Sequence, residues 1–380
     1  MPTLVMESWR FLPHSYAINN QYWCLELLKV PGLTLYHRDA PIPDARWKPS
    51  PGVMSPAQEE LLRGIPELPE GAMADVAVRL SFPYDFSPSR AARTIVMGTS
   101  EYGIVPNNFV VGGGPISKVA KETGFTVATP SKWSREGFLR SGVRAGQVAV
   151  VPLGADVEVF RPLEEGARER LRERLGWSGR FVLLHASSLG WNKGVAEMVE
   201  GLAAVAGEFP QVLQVFKGLE AMYGSSQALQ GIAAQLPAEL REALSRHIQY
   251  LGGSLTMEQM AELYQAADAY VCPYYAEGFN MPALEAAACG TPVVCTAGGS
   301  TDDFMAGAFA LKITSRIERD VKSGGMLLRP DLGSYVANLR RVICDEEFRR
   351  QARLAGPKHM AGGWTWRHCT EQLLRVAGLA

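Results

Sequence analysis

The sequence predicts an α/β protein built from two doubly wound, Rossmann-like domains. Three observations carry that prediction. The chain has 380 residues, beyond the roughly 250–300 at which one hydrophobic core stops growing. Short apolar runs rich in β-branched residues alternate with helix-prone stretches, the pattern of a parallel sheet covered on both faces. The alternation is interrupted around 160–178 by FRPLEEGARERLRERLGW, which is charged and helix-prone without an apolar strand, and then begins again. The expected boundaries are a first domain over 1–160 and a second over 161–360.

In the first half, TLVM at 3–6 reads as a strand and 17–29 as a helix. The Pro-rich stretch 40–70 reads as a loop with one short helix near 56–63. The runs 75–80, 94–98, 108–111 and 125–128 read as strands. Ser131 is placed to cap a helix over 132–140, which Gly142 would stop, and VAVVPLG at 148–154 closes the half as a strand. In the second half, strands are expected at 181–187, 211–218, 248–253, 269–275 and 292–296. Helices are expected between them at 194–207, 227–246, 256–267 and 282–289. From residue 334 the chain reads as helical and includes the exposed-looking segment GGWTWRH. Two such units facing each other would form a cleft, and ligands of open α/β sheets sit at the carboxyl ends of the strands.

Composition narrows the function classes. Apolar residues make up 47% and charged residues 20%, with a net charge of −1, so no global basic field draws in nucleic acid. The six cysteines are scattered without a C-x-x-C pair, which argues against a disulfide framework or zinc site and for a reducing, cytoplasmic setting. The opening residues lack the basic and apolar regions of a signal peptide, and no run approaches the ~18–20 apolar residues that span a bilayer. The expected protein is soluble, or peripheral at the inner face of a membrane.

The chemistry concentrates in Glu277-Gly-Phe-Asn-Met-Pro-Ala-Leu-Glu285. Pro282 suits the first turn of a helix and Gly290 its stop. The backbone N–H groups of Phe279, Asn280 and Met281, following Gly278, would then lie at a helix N-terminus, whose partial positive charge favours phosphate. Glu277 falls at the strand tip, and Glu285 is expected in the first turn, facing the same place. Two carboxylates beside a row of donors suit a ligand carrying both vicinal hydroxyls and phosphate.

This segment resembles the E-G-F-G/N-x-P-x-x-E signature of the retaining glycosyltransferases of the GT-B fold, notably family four. The resemblance extends over TPSKWSREGFLRSGV, VVPLGADVEVFRP and the stretch from AELYQAADAYVCPYY to TAGGS, roughly residues 125–300. It implies that Glu285 holds the ribose of a nucleotide-sugar donor and that Glu277 contacts the donor sugar or takes a catalytic role. It implies Lys193 as the diphosphate ligand. The family usually carries an arginine six residues before that lysine, where this chain has Ser187, and Lys217 is a replacement cation at a neighbouring strand tip. The turn Tyr250-Leu-Gly-Gly-Ser-Leu255 would read the base through backbone groups such as those of Gly252, with Leu255 on the ring. Gly299 and Ser300, after the strand PVVCT, should approach the donor, since glycine lets backbone come close.

In the first half the family's Gly-rich loop corresponds to FLPHSY, where His14 and Ser15 are candidates for donor or acceptor contact. The family's middle-strand histidine corresponds to IVMGTSEYG, so Thr99 or Glu101 takes over that contact or the donor sugar differs. Trp133, Arg135, Phe138 and Arg140 mark an acceptor-facing or membrane-facing helix, or an ordinary amphipathic surface helix. Trp364 and Trp366 resemble the family's C-terminal element, which implies that 361–380 form a helix returning to the first domain.

By this resemblance the function is hexosyl transfer with retention, from a UDP-sugar to a glycan, lipid-linked or small-molecule acceptor, with no cofactor and no bound metal. Its rivals are an epimerase or phosphorylase of the same fold and a non-catalytic sugar-nucleotide sensor.

Overall fold

The computed structural model describes every residue except Lys322 and Ser323, with the backbone alone at Glu165. The chain divides into two units. Unit one comprises Met1–Gly154, Asp320–Gly325 and Thr365–Ala380, and unit two comprises Ala155–Arg319 and Met326–Trp364.

Unit one runs β1 (Thr3–Ser8), α1 (Ser15–Leu27), β2 (Thr34–Asp39), α2 (Pro56–Arg63), β3 (Ala74–Leu80), β4 (Ala91–Met97), α3 (Ile116–Thr123), β5 (Thr126–Thr129), α4 (Lys132–Arg140) and β6 (Val148–Val150). Its six strands form one parallel sheet in the order β2-β1-β3-β4-β5-β6. Local chemistry sets several helix starts. Ser55 and Gln58 make a reciprocal capping box at α2, and Ser131 accepts from Ser134 N at α4, as its sequence predicted.

Unit two runs α5 (Glu165–Arg174), β7 (Phe181–Ala186), α6 (Val195–Ala206), β8 (Val212–Lys217), α7 (Ser225–Ala233), α8 (Ala238–Ser245), β9 (Ile248–Leu251), α9 (Met257–Ala266), β10 (Ala269–Cys272), α10 (Met281–Ala288), β11 (Val293–Thr296), β12 (Ala310–Ile313), a hairpin of β13 (Ser315–Arg319) and β14 (Met326–Pro330), α11 (Leu332–Cys344) and α12 (Glu346–Gly363). Its parallel sheet is ordered β12-β11-β10-β7-β8-β9. That is the doubly wound dinucleotide-fold order, with its reversal between β7 and β10. A buried apolar cluster including Leu183, Val199, Val271, Val294 and Leu339 lies between this sheet and its helices. α12 rests on α10 so closely that a Cβ on Gly356 would come within 2.5 Å of Ala287 O.

α13 (Trp366–Ala377) belongs to unit one. Trp366 is buried there, its ring stacked on Tyr22 at 5.0 Å and edge-on to Trp23 at 5.7 Å. A Cβ on Gly154 would lie 2.3 Å from Trp366 N, so glycine alone permits this approach.

Several expectations are corrected. NFVV at 108–111 is not a sheet strand but a 3-10 turn over Asn107–Phe109, with one isolated bridge from Val110 to Tyr84. The single helix expected over 227–246 is two helices, parted ahead of Pro237, which sits as the N-cap of α8 and cannot continue a helix. β2, β12 and the β13–β14 hairpin were not anticipated. GGWTWRH is exposed only in part: Gly362, Gly363 and Arg367 are exposed, whereas Trp366 is 3% exposed. α4 does not present an aromatic face outward. Trp133 and Phe138 are buried, Trp133 Nε1 donates to Glu101 O, and Arg140 donates to Gly103 O and stacks on Trp133. Among the described residues no helix is long and apolar enough to cross a membrane.

Candidate functional site

At the point in unit two where the strand order reverses, the loops after β7 and β10 lie side by side. The first is Ser187–Gly194. Its residues Trp191–Lys193 form a 3-10 turn, and Gly194 (φ 72°) turns the chain straight into α6. A Cβ at Gly194 would lie 1.9 Å from Pro273 O, so this glycine allows the two loops to touch. Asn192 fastens them further. Its carbonyl accepts from Tyr275 N at 2.8 Å, and its side-chain amide donates to Ala276 O at 3.0 Å.

This fastening brings Lys193 Nζ to 3.0 Å from Glu277 Oε1, with both side chains largely shielded. The two residues are 84 apart in sequence and were singled out on separate grounds. Together they place one cation and one carboxylate in a polar, half-enclosed position. The N-termini of α6 and α10 begin directly after these loops and add partial positive charge.

Asn280 is the N-cap of α10. It adopts a left-handed conformation (φ 78°), and its Oδ1 accepts from Ala283 N at 3.2 Å. One helix amide is thus satisfied by the capping side chain itself. Met281 and Pro282 open the helix as its sequence predicted. Glu285 is the fifth residue of α10, in its second turn rather than its first. Its side chain is buried, and Oε2 accepts from Tyr264 OH at 2.9 Å. Burial pushes its carboxyl up to about 7, and the tyrosine bond only partly offsets this.

Phe279 stacks on Phe304 at 4.7 Å, and its carbonyl accepts from Ser300 Oγ at 3.2 Å. A Cβ on Gly299 would lie 2.6 Å from Tyr274 OH. The loop after β11 is therefore seated against the loop after β10. Gly278 occupies the same turn.

Ser187 holds no ligand-like geometry. Its hydroxyl bridges His185 Nε2 at 2.8 Å and Leu189 N at 2.9 Å. His185 is buried, bonded also to Val271 O, and burial lowers it to about 4, so it is a neutral structural residue at pH 7. Lys217 ends β8 directly beside this turn, where its carbonyl accepts from Ser187 N. Lys217 is 6% exposed, and its ammonium donates to Gly218 O and is lowered to about 8 by burial. A buried ammonium with so little compensation is suited to meeting an anion.

Gly252, after β9, packs under Tyr250, whose ring carbon would lie 2.8 Å from an added Cβ. Tyr250 OH donates to Glu220, which also accepts from Ser226 N at 2.7 Å. Leu255 is half-buried just ahead of Thr256, the cap of α9.

Unit one holds the remaining candidates at the carboxyl edge of its own sheet. Thr99 follows β4; its N–H donates to Tyr84 OH at 2.9 Å, and its Oγ1 lies 3.3 Å from Tyr16 OH. Glu101 is half-buried two residues on. His14 is the N-cap of α1, its Nδ1 accepting from Tyr16 N at 3.1 Å. Its ring packs against Trp9, Tyr16 and Trp47 at 5.1–5.4 Å, and burial lowers it to about 4. The ring is thus neutral and committed to the helix cap, not a cation for phosphate. Ser15, beside it, is exposed.

Sequence reasoning missed Tyr264, Asn192 and Tyr275. Tyr275 OH donates to Glu197 in the first turn of α6. No local motif marks them, because each matters through a partner far away in sequence. Among the described residues no group of three or more His, Cys, Asp or Glu side chains is placed to hold a metal ion.

Comparison with known proteins now adds to this geometry. A D-inositol 3-phosphate glycosyltransferase of Nocardiopsis dassonvillei is 29% identical over 241 residues, covering 62% of this chain and 51% of that protein. The chain thus spans about half the length of such relatives. HepE of Anabaena, crystallised with UDP and glucose, superposes with a TM-score of 0.71 at 16% identity over 100% of both chains. Sucrose-phosphate synthase of Thermosynechococcus elongatus gives 0.68 at 15% identity, over 99% of this chain and 98% of that one. At those identities the likeness is one of fold, and the fold is GT-B. Residues 167–358, which include Lys193, Lys217, Glu277 and Glu285, match the family described as glycosyl transferases group 1, and the chain belongs to that family.

Proposed function

We propose that this chain is a retaining glycosyltransferase that moves a hexose-type sugar from a UDP-sugar to a hydroxyl of a glycan, lipid-linked or small-molecule acceptor, without a bound metal. The observation that carries the reading is the Lys193–Glu277 pair, 3.0 Å apart in the loops that lead into α6 and α10, with the buried carboxyl of Glu285 on α10. A UDP donor is supported by the UDP and glucose in the Anabaena structure, and a small hydroxylic acceptor by the inositol phosphate in the relatives' name.

Each residue then has a role that its surroundings suit. Glu285, ionised, accepts from the two ribose hydroxyls. Lys193 and the N-termini of α6 and α10 take the diphosphate, with Lys217 as the second cation. Glu277 holds Lys193 in place and contacts the donor sugar. Gly252 and Leu255 line the base, and Gly299 and Ser300 bound the donor from the loop after β11.

In the reaction, the bond between the anomeric carbon and the diphosphate oxygen breaks while the acceptor oxygen bonds to that carbon from the same face. The acceptor proton passes to the departing phosphate oxygen. The cations stabilise the charge that develops there. NMR of the product tests the stereochemistry: an anomeric centre inverted relative to the donor refutes retention. Calorimetry with UDP tests the site, and a Glu285→Ala variant that binds as tightly as the wild type removes the ribose role.

A further inference from the structure

The β13–β14 hairpin is a small antiparallel sheet of its own, apart from the parallel sheet of unit two. Its two outer edges differ. On the outer side of β14, Leu328 N donates to Tyr275 O at 2.8 Å, which fastens the hairpin to the loop that carries Glu277. On the outer side of β13, among the described residues, no backbone hydrogen bond joins 315–319 to any other backbone but that of β14. An unpaired edge of this kind is a template for another strand.

The phase of the pairing shows which groups that edge offers. Antiparallel partners alternate between pairs that exchange both backbone bonds and pairs whose N–H and C=O point outward. Leu328 N is turned away from β13 toward Tyr275, so Ile317 and Leu328 form a pair of the second kind. Further along the hairpin Asp320 N donates to Gly325 O, a pair of the first kind, as the alternation requires. The amide and carbonyl of Ile317 therefore face the free edge, with those of Ser315 and Arg319 on either side of it.

The side chains say which strand fits there. Ile317 stands at the centre of β13, with Arg316 before it and Glu318 after it. Laid antiparallel on a second β13 about Ile317, Arg316 meets Glu318 of the second copy, Glu318 meets Arg316 of the second copy, and Ile317 meets its equivalent. Both charge pairs are of opposite sign, and Ile317, 57% exposed in the single chain, gains an apolar neighbour. Within the chain Arg316 lies directly opposite Arg329, and the two share Glu318 at 2.7 and 3.5 Å. A second carboxylate on the open side offsets that like-charge pair. Other alignments are penalised. Parallel in-register pairing sets Arg316 on Arg316, and a slip to the next same-face antiparallel register sets Arg316 on Arg316 or Glu318 on Glu318.

We propose that β13 pairs with β13 of a second copy of this chain about a two-fold axis at Ile317, joining the two hairpins into one continuous antiparallel sheet and making a homodimer. The same patch on both copies is self-complementary, as a closed two-fold interface needs. The edge is short, so the dimer is weak and depends on concentration.

Analytical ultracentrifugation of the full chain in low-salt buffer, over roughly 5–500 µM, tests this. The expected result is a dimer fraction that rises with concentration. Arg316→Glu and Glu318→Arg should each weaken dimerisation at least about tenfold, because like charges then meet at both pairs. Mixed in equal amounts, these two variants should pair with each other, because every charge of one then faces its opposite on the other. Ile317→Lys, which sets two ammonium groups on the axis, should abolish the dimer and serves where a charge variant folds poorly. Thermal unfolding identifies any variant that does. A wild type that stays monomeric at every concentration, its edge left to water or to another protein's strand, would overturn the proposal. So would a dimer undiminished in all three variants, or loss in both charge variants with no recovery on mixing.

Discussion

Replacing Glu285 with glutamine should make the protein more stable and less able to bind its donor, and both effects follow from one buried carboxyl. Glu285 is 8% exposed with a single tyrosine hydroxyl bonded to it. Burial lifts its carboxyl from the usual 4.5 to about 7. The folded state therefore holds a proton that the unfolded state releases between pH 4.5 and 7. Stability that is fully present below pH 4.5 is lost as pH rises through 7, by about 3 kcal/mol at roughly 1.36 kcal/mol per pH unit.

Glutamine keeps the size of the side chain and an oxygen for Tyr264 but never ionises. At pH 8 Glu285→Gln should be more stable by up to about 3 kcal/mol, on the order of 6–12 °C in Tm for a domain of this size. At pH 4.5 it should match the wild type. The carboxylate that is costly to bury is the form that accepts from ribose hydroxyls. Wild-type UDP affinity should therefore fall about tenfold for each pH unit below 7, and the variant should bind weakly at every pH. Thermal unfolding at pH 4.5 and 8, with calorimetry across the same range, checks both halves. A glutamine variant no more stable than wild type at pH 8, or one that keeps UDP affinity, would refute the reasoning.

Lys193→Ala removes the partner of Glu277 and a cation at the leaving group, so turnover should fall about 10²–10³-fold and UDP should bind about tenfold more weakly; a steady-state assay of UDP release and calorimetry measure the two. Lys217→Met should weaken UDP about tenfold but leave uridine binding unchanged by calorimetry. Because burial lowers its ammonium to about 8, wild-type UDP affinity should decline above pH 8 and the variant's should not. Gly194→Ala puts a methyl group 1.9 Å from Pro273 O in a left-handed backbone, which should cost about 2 kcal/mol or more and move Lys193; denaturant midpoints and UDP release report the two effects. Trp366→Ala should destabilise by about 3–5 kcal/mol in urea, because a buried ring stacked on Tyr22 leaves a cavity.

What was legible in the sequence was whatever lies within one strand, loop and helix. Pro282 announces the start of α10, and Ser131 that of α4, because capping and first-turn preferences are decided by neighbours in the chain. β12 was missed because ALKI is short and not strongly β-branched, and β13–β14 because SRIER reads as a solvated charge run. Glu285 slipped by one turn because the helix begins at Met281, after a left-handed Asn280 that the sequence alone does not require.

The same limit separates the two halves of the candidate site. Lys193 and Glu277 were each legible as a loop residue after a strand, yet the 3.0 Å between them depends on Gly194 lying against Pro273 and on Asn192 bonding Tyr275 and Ala276. Those contacts join the loops after β7 and β10, which are neighbours only because the strand order reverses there. The reversal is a property of the whole sheet, so no local reading supplies it. The missing arginine at Ser187 illustrates the consequence. Ser187 as the place of a missing arginine and Lys217 as a cation at a neighbouring strand tip were both legible, but the bond from Ser187 N to the carbonyl of Lys217 on the next strand is supplied by the sheet alone.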